Sequence, residues 1–328
     1  MSLPKLTSGN FCSYALQTRV AQDFKGSIQL EPTIYATADK PFYIDRWWRQ
    51  QVGEIEIGEI DHCSLFLHAQ TTEVSVEVPQ LNSRLYSYLY ALLLQGVGYS
   101  TAGILLGGTN SSTASRVASI GWLSKYYSPA KVVYSDLEPQ HLIQAVKLAR
   151  GIDAIFEQPS GGRYLRLRKG FNAFLSGIRY EQIDAHNRLH QFVRSIDAVI
   201  KADQGKATKQ FKERCQFFVG SNQNDVKLLS ELYELRSAAE HLNPLDSKLG
   251  QYQQHERDNI KALRAYQAEL LASFVYRKIL STPNLLSNFI DDAAIDSMWL
   301  QPPSQLKQLW GPTIDLRTAP NGLFFDYL

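Results

Sequence analysis

Two residues with complementary chemistry, Arg236 and His241, stand near the end of a helix-like segment that runs from Leu228 to Pro244. A guanidinium group presents a planar fork of donors that can hold anionic oxygens and offset charge that develops on them. An imidazole can take up and release a proton at cellular pH, as general acid–base catalysis requires. The pair therefore suits a reaction in which an anionic group is held while a proton moves.

The apolar residues around this pair recur with helical spacing, which predicts a helix that stops near Asn243 and Pro244. They are Val226, Leu228, Leu229, Leu232, Tyr233, Leu235, Ala239 and Leu242. At about 100° per residue, Arg236 falls on the same side as Leu229 and Tyr233, on a face otherwise built for burial. Because an unpaired buried charge is costly, Arg236 needs a partner or a functional role.

The segment resembles the Arg-x4-6-His signature of the HEPN superfamily, and especially its ApeA-like branch, in which a Leu-Tyr-x-x-Arg-Ser-x-x-x-His segment recurs. The matching residues are Leu232, Tyr233, Arg236, Ser237 and His241. The resemblance runs from Ile183 to about Leu285 and includes the order of the helices as well as the motif. Many relatives have Gly or Tyr soon after the His, where this chain has Leu242, Asn243 and Pro244.

The resemblance implies a small helical bundle that dimerises and cleaves RNA without a metal ion. In such cleavage the 2′-hydroxyl loses its proton, attacks the adjacent phosphorus and expels the 5′-oxygen, with His241 moving the proton and Arg236 holding the non-bridging oxygens. Ser237 would contact the phosphate, and Glu240 would modulate either side chain. The resemblance also implies a toxin-like effector in bacterial anti-phage defence or growth arrest, with tRNA as one candidate substrate.

Within one straight helix Arg236 and His241 should not meet, because residues five apart differ by about 140° in direction. Asn243 precedes Pro244 and is biased away from helical angles, so the helix can end at His241. A two-fold dimer would also place each motif opposite its copy. The alternative is an ordinary helix end, where Arg236 pairs with Glu240 and His241 offsets the helix dipole.

A second helix, predicted over residues 180–200, carries His186, His190 and Arg194 four residues apart along the edge of its apolar face. The His-x3-His spacing is compatible with zinc, but no Glu follows the first His and no third ligand is suggested, so we expect no metal. We expect these side chains to cap the core edge, with Asp197 as the partner of His190 or Arg194. In the bundle that the resemblance implies, His190 and Arg194 could also support the active cleft.

Four cations follow a Pro-Ser-Gly-Gly turn near residue 160, and they are Arg163, Arg166, Arg168 and Lys169. As a strand, the stretch RYLRLR would place its last two arginines on one face and its leucines on the other. Such a cationic strip could hold a phosphate backbone, which makes all four residues candidate RNA-binding residues. A solvated edge strand, whose charge discourages aggregation, explains the same pattern equally well.

Composition limits the kind of protein this is. With 328 residues, 44% of them hydrophobic and 11% aromatic, the chain has ample core material for two domains and is not a disordered protein. A net charge of +2 restricts any nucleic-acid site to a local patch. The scattered Cys12, Cys63 and Cys215 argue against a disulfide framework. The start of the chain lacks a signal-peptide pattern, so we expect a cytoplasmic protein with no membrane partner.

The elements together predict an α+β fold, in which a mixed, strand-rich N-terminal domain precedes an all-α, up-and-down, HEPN-like helical bundle. Alternating polarity predicts strands in 26–37, 54–60, SLFLHAQ and EVSVEVP. A capping box from Ser135 to Glu138 predicts a helix that stops at Gly151. Further helices are predicted over residues 81–95, 180–200, 207–220 and 249–280, in addition to the helix-like segment Leu228–Pro244.

We predict three parts: residues 1–160 as an α+β sensing or regulatory domain, 161–298 as the HEPN-like helical domain, and 299–328 as a tail that packs on the body or a partner. The predicted function is a homodimeric, metal-independent endoribonuclease that needs no cofactor. A regulatory ligand or protein is expected at the N-terminal domain. The alternative is a non-catalytic HEPN-type module that binds nucleotides or scaffolds a complex.

Overall fold

The computed structural model describes residues 9–20, 24, 26–41, 46–73, 75–110, 115–122, 136–157, 162–179 and 185–317. It combines an antiparallel sheet in the first part of the chain with helices in the second, so the predicted α+β class is confirmed. The chain divides into two compact units, one of Met1–Ser128 with Tyr134–Arg150 and the other of Pro129–Val133 with Gly151–Leu328. Among the described helices, none has the length and hydrophobicity needed to cross a bilayer.

The first unit is built on a six-stranded antiparallel sheet in the order β2-β3-β4-β1-β5-β6. Its strands are β1 Gly9–Thr18, β2 Ser27–Glu31, β3 Ile34–Thr37, β4 Leu65–Thr71, β5 Tyr99–Asn110 and β6 Ser115–Trp122. The helix α3, Val78–Leu94, packs against β1 and β4 with Leu85, Tyr88 and Leu92 buried. Strands were correctly predicted in 26–37, which forms a hairpin, and in SLFLHAQ, which forms β4.

Two further predicted strands in this unit are wrong. Residues 54–60 lie in the helix α2, Glu54–Asp61, which follows the short helix α1, Arg46–Val52. The apolar residues of this stretch alternate as they would in a strand. Because Ile57 and Ile60 are three residues apart, they also lie on one side of a helix, and both are buried. In EVSVEVP the described residues after Val74 form a turn, and Val78 begins α3 with Pro79 in its first turn.

The helix α4, Pro139–Phe156, continues beyond Gly151, where the sequence predicted its end. The glycine permits a close approach between two segments, because a Cβ atom at Gly151 would lie 2.1 Å from the carbonyl oxygen of Leu280. A helix-ending glycine and a helix-packing glycine look alike in sequence. The predicted capping box begins at Ser135, which lies outside the described residues.

The second unit is helical. Its helices are α5 Leu165–Arg179, α6 Ala185–Ile200, α7 Ala207–Val219, α8 Gln223–Glu240, α9 Arg257–Ser281, α10 Pro283–Leu286, α11 Asp292–Trp299 and α12 Pro303–Trp310, with 3-10 turns at Leu245–Lys248, Gln254–Glu256 and Ser287–Phe289. The central helix is α6, which packs against α5, α8 and α9. Its apolar side chains are fully buried, and each such burial contributes about 1.5–3 kcal/mol. They are Leu189, Phe192, Val193, Ile196, Val199 and Ile200.

The predicted strand RYLRLR is wrong, because its residues lead into and open α5. Leu167, Phe171, Phe174 and Ile178 recur at helical spacing and are all buried, a longer-range pattern that outweighs the local alternation of Arg and Leu. On a helix, Arg166 and Arg168 point in different directions instead of sharing one face.

The last described segment packs on the helical unit. Trp310 of α12 lies against Phe218, with ring centroids 4.5 Å apart, and stacks on Trp299 at 6.0 Å. Beyond α12, the backbone N–H of Ile314 donates to the carbonyl of Phe218 at 2.8 Å, and Leu316 is buried. Residues 299–317 therefore contribute aromatic and backbone contacts to the body of this unit.

Candidate active site

The helix that carries Arg236 starts at a well-formed cap. The Oδ1 atom of Asn222 accepts a hydrogen bond from the backbone N–H of Asp225 at 3.0 Å, as an N-cap side chain does. Asp225 adds a carboxylate to the first turn, where it offsets the positive end of the helix dipole. The buried side chains of Leu229, Leu232 and Leu235 fix α8 against its neighbours, so Arg236 projects from a rigid element.

The end of α8 is a Schellman motif with a leucine in the position usually taken by glycine. His241 is the C-cap, and the backbone N–H groups of Leu242 and Asn243 donate to the carbonyls of Ala239 and Ala238 at 3.1 and 2.9 Å. Leu242 adopts a left-handed backbone with φ 57° and is 91% exposed. The helix end predicted at His241 is thus confirmed, and it holds an apolar side chain out into solvent.

The guanidinium group of Arg236 is held between carboxylates on two helices. Its Nη2 lies 3.2 Å from Oδ2 of Asp197 on α6, and its Nη1 forms an ion pair with Glu240 on α8. The guanidinium carbon lies 5.6 Å from the ring centroid of Tyr233, within cation–π range. Arg236 is only 17% exposed, and its Nε has no hydrogen-bond partner among the described residues. The Arg236–Glu240 pair, left open as an alternative, is therefore present.

Asp197 is the partner of Arg236, which corrects the predicted pairing of Asp197 with His190 or Arg194. Burial raises the pKa of the Asp197 carboxyl to about 6, Arg236 opposes this shift, and Glu240 adds to it. The prediction considered only residues on the same helix, whereas α8 packs beside α6 and supplies the nearer cation. Arg194 is exposed and lines a groove on α6.

His190 on α6 belongs to the surroundings of the same guanidinium group. Its Nε2 atom is buried and has no hydrogen-bond partner within the described part of the chain. Burial lowers the pKa of His190, the positive charge of Arg236 lowers it further, and Glu240 works in the opposite direction. The structure thus brings together Arg236, Glu240 and His190, with the imidazole of His190 biased toward its neutral form.

His241 stands apart from this cluster. Its backbone N–H donates to the carbonyl of Ser237 at 3.2 Å, and its side chain is exposed at the helix end. Within the described residues, no hydrogen bond or ion pair joins Arg236 to His241. The backbone of Ser237 therefore helps to fix His241, while the two candidate catalytic side chains do not meet in one chain.

A groove with a volume of about 930 Å³ runs between α5 and α6 and reaches the start of α11. Of the predicted RNA-binding residues, Arg166 and Lys169 line it, together with Arg194 and Asp197. Arg166 is bound to Asp292, with Nε and Nη2 lying 2.7 and 3.0 Å from the two carboxylate oxygens. This hydrogen bond lowers the pKa of Asp292.

The other two predicted RNA-binding residues lie elsewhere. Arg163 precedes α5, and its guanidinium carbon lies 5.6 Å from the ring centroid of its neighbour Tyr164. Arg168 is half-buried on α5, with its backbone N–H donating to Tyr164, and it is not among the residues that line the groove. The four cations, which the sequence predicted as one strip, therefore lie on different sides of α5 or before it.

Sequence reasoning missed the two contacts that organise this site, Arg236–Asp197 and Arg166–Asp292. Both join residues that are far apart along the chain, and helical periodicity shows which face is buried without showing which helices meet there. In comparisons with known proteins, no family model, no curated protein and no solved structure matches this chain.

Proposed function

We propose that this protein is a metal-independent endoribonuclease of the HEPN type, an effector of bacterial anti-phage defence or growth arrest. Its catalytic residues are Arg236 and His241, and its helical unit is the HEPN-like bundle. The proposal rests on the resemblance of residues 183–285 and on one structural observation. A partly exposed arginine, bound to carboxylates on two helices, lies five residues before an exposed histidine at the end of the same helix.

The surroundings of Arg236 favour exchange of one anion for another. The guanidinium group already binds two carboxylates through its Nη1 and Nη2 atoms, so it is oriented for anionic oxygens. A phosphate group of the substrate takes the place of Glu240, whose side chain is 45% exposed and costs little to displace. Asp197 remains and keeps the guanidinium group in position, as a support for a catalytic arginine should.

His241 supplies the proton transfer. Its imidazole is exposed at the end of α8, so it is open to contact with a bound RNA strand. Arg236 then offsets the negative charge that grows on the non-bridging oxygens as the 2′-oxygen attacks. Because Arg236 and His241 of one chain do not meet, they can act on the same phosphodiester bond only if each approaches it from a different side.

A two-fold dimer provides this arrangement. Residues 240–244 are all exposed, and the left-handed backbone at Leu242 holds its side chain outward although that conformation is unfavourable for leucine. We infer that this end of α8 meets its copy, so that Arg236 of one subunit faces the partner copy of His241. The N-terminal unit is then left to carry a regulatory ligand or protein.

A second candidate function, a non-catalytic module that binds nucleotides, is favoured by a different observation. Arg236 is neutralised by two carboxylates, as in a purely structural ion-pair cluster, while the groove between α5 and α6 offers a cavity beside that cluster. Such a module would bind its ligand in the groove and would leave the ligand intact.

The test is an RNA cleavage assay on the full-length protein in the presence of EDTA, with total RNA and a defined tRNA. Arg236→Ala and His241→Ala are compared with wild type, and Lys307→Ala serves as a control because Lys307 is exposed on α12. We expect cleavage by wild type and by the control and a loss of about 10²-fold or more in each catalytic variant. Undiminished cleavage by His241→Ala protein would refute the proposal, and binding without cleavage by any protein would favour the second candidate.

A further inference from the structure

We propose that the groove between α5 and α6 is a binding site for the phosphate backbone of single-stranded RNA, with Lys169 and Arg194 as the groups that hold it. The choice of RNA rests on the proposed function, whereas the anionic character of the ligand follows from the groove itself. The sequence grouped Lys169 with its neighbours along the chain, whereas in the structure Lys169 on α5 and Arg194 on α6 line the same groove.

The floor of the groove is made by small residues that let the two helices approach. A Cβ atom at Gly170 would lie 2.4 Å from the Cβ of Ala198 and 2.2 Å from the hydroxyl of Tyr276, so α5 and α6 nearly touch there. Ala173 continues this floor along α5. With small side chains below and long ones at the sides, the groove is an open channel that an extended chain can follow.

Lys169 stands on the α5 side of this channel and Arg194 on the α6 side, and both are exposed. Neither forms an ion pair with any residue of the described part of the chain. The nearby amide side chains of Asn172 and Gln191 lie on the same two helices and can hydrogen-bond to a ribose or a base edge. Cations with adjacent neutral donors are the usual components of a site that tracks a nucleic-acid strand.

Two of the carboxylates that line the groove are each paired with a cation. Asp292 is held by Arg166 through two hydrogen bonds, and Asp197 is held by Arg236. Asp291 caps α11, where it accepts a hydrogen bond from the backbone N–H of Ala294 at 2.8 Å. Asp291 keeps its negative charge because a backbone N–H is neutral, so Lys169 and Arg194 together exceed it by one positive charge, and this excess favours an anion.

The groove also leads to the candidate active site. Asp197 lines the groove and binds Arg236, so one carboxylate belongs to both places. A strand that follows Lys169 and Arg194 along the groove would bring its next phosphate toward Arg236. A volume of about 930 Å³ is within the range of sites that enclose a ligand larger than a single phosphate.

The test measures binding of a fluorescent single-stranded RNA to the full-length protein by anisotropy, over a range of salt concentrations and with EDTA. All proteins carry His241→Ala so that the probe stays intact. We expect Lys169→Ala and Arg194→Ala each to weaken binding several-fold, irrespective of RNA sequence, and to reduce the slope of log affinity against log salt by about 0.7. The double variant should reduce the slope by about 1.4.

Lys307→Ala is the matched control, since it removes one exposed charge outside the groove and should leave both affinity and slope unchanged. Equal affinity in the control and in the groove variants would overturn the inference, and so would an absence of binding in the parent protein. Loss of binding in the groove variants would support it even if the wild-type protein cleaved no RNA, in which case the proposed active site alone would fail.

Discussion

The Nη2 atom of Arg236 on α8 lies 3.2 Å from the Oδ2 atom of Asp197 on α6, and this pair joins the helix with the candidate motif to the central helix of its unit. Both side chains are largely shielded from water, with 17% and 23% exposure. Most of the chemistry proposed above depends on this relationship, because it fixes the guanidinium group and links it to the groove.

The Asp197 carboxyl should give the folded protein a characteristic pH dependence. Its pKa rises from 3.8 to about 6 on folding, so the folded state binds the proton more tightly than the unfolded state. This contribution to stability is complete below about pH 4 and is lost as the pH rises to 6. Because Asp197→Asn cannot titrate, the unfolding free energy of wild type minus that of the variant should fall from pH 4 to pH 6. Urea unfolding measures this difference, and a constant value over that range would contradict the assignment.

The buried pair of Arg188 on α6 and Glu269 on α9 should be costly to break. The two side chains are 10% and 9% exposed, and the Nη2 atom of Arg188 lies 2.6 Å from the Oε2 atom of Glu269. Removal of one side chain therefore leaves the other charged and largely desolvated. We expect Glu269→Leu to lower the unfolding free energy by about 3–5 kcal/mol. The double variant Arg188→Met with Glu269→Leu should recover most of that loss, and equal losses in both proteins would show that the pair is not the cause.

Gly170 should not tolerate a side chain. A methyl group there would overlap the hydroxyl of Tyr276 and the Cβ of Ala198, so α5 and α6 would have to separate. We expect Gly170→Ala to lower the unfolding free energy by about 1–3 kcal/mol. Gly250→Ala is the matched control, because a Cβ atom at Gly250 meets no atom within 4 Å, and similar losses in the two variants would contradict this account of the helix contact.

Replacement of Leu242 by glycine should stabilise the subunit and weaken the dimer. Glycine removes the strain of the left-handed backbone at φ 57°, so Leu242→Gly should raise the stability of the subunit by up to about 1 kcal/mol. Leu300, which is also exposed but has φ −83°, should lose stability when changed to glycine. If the end of α8 forms the dimer contact, Leu242→Gly should also weaken association in sedimentation, and unchanged association would remove Leu242 from the interface.

The sequence predicted the α+β class and the helices α6 to α9 of the second unit, because a long helix repeats its apolar pattern several times. Short stretches were predicted wrongly where the same residues fit both the two-residue period of a strand and the 3.6-residue period of a helix. In residues 54–60, Ile57 and Ile60 are the buried residues of a helix. The sequence indicated the contact of Arg236 within its own helix but not its contact with another helix. The spacing of Arg236 and Glu240 offered their ion pair as an alternative interpretation. The contact with Asp197 depends on the rotation and packing of two separate helices, which periodicity does not specify.

The proposed site needs Arg236 and His241 from different subunits, and a complementation experiment tests this most directly. Arg236→Ala and His241→Ala chains are co-expressed with different tags, and the mixed dimer is isolated and assayed for RNA cleavage with EDTA present. In the mixed dimer one of the two sites keeps both residues, so we predict about half of the wild-type activity. A mixed dimer that forms and stays as inactive as either parent would contradict a site shared between subunits.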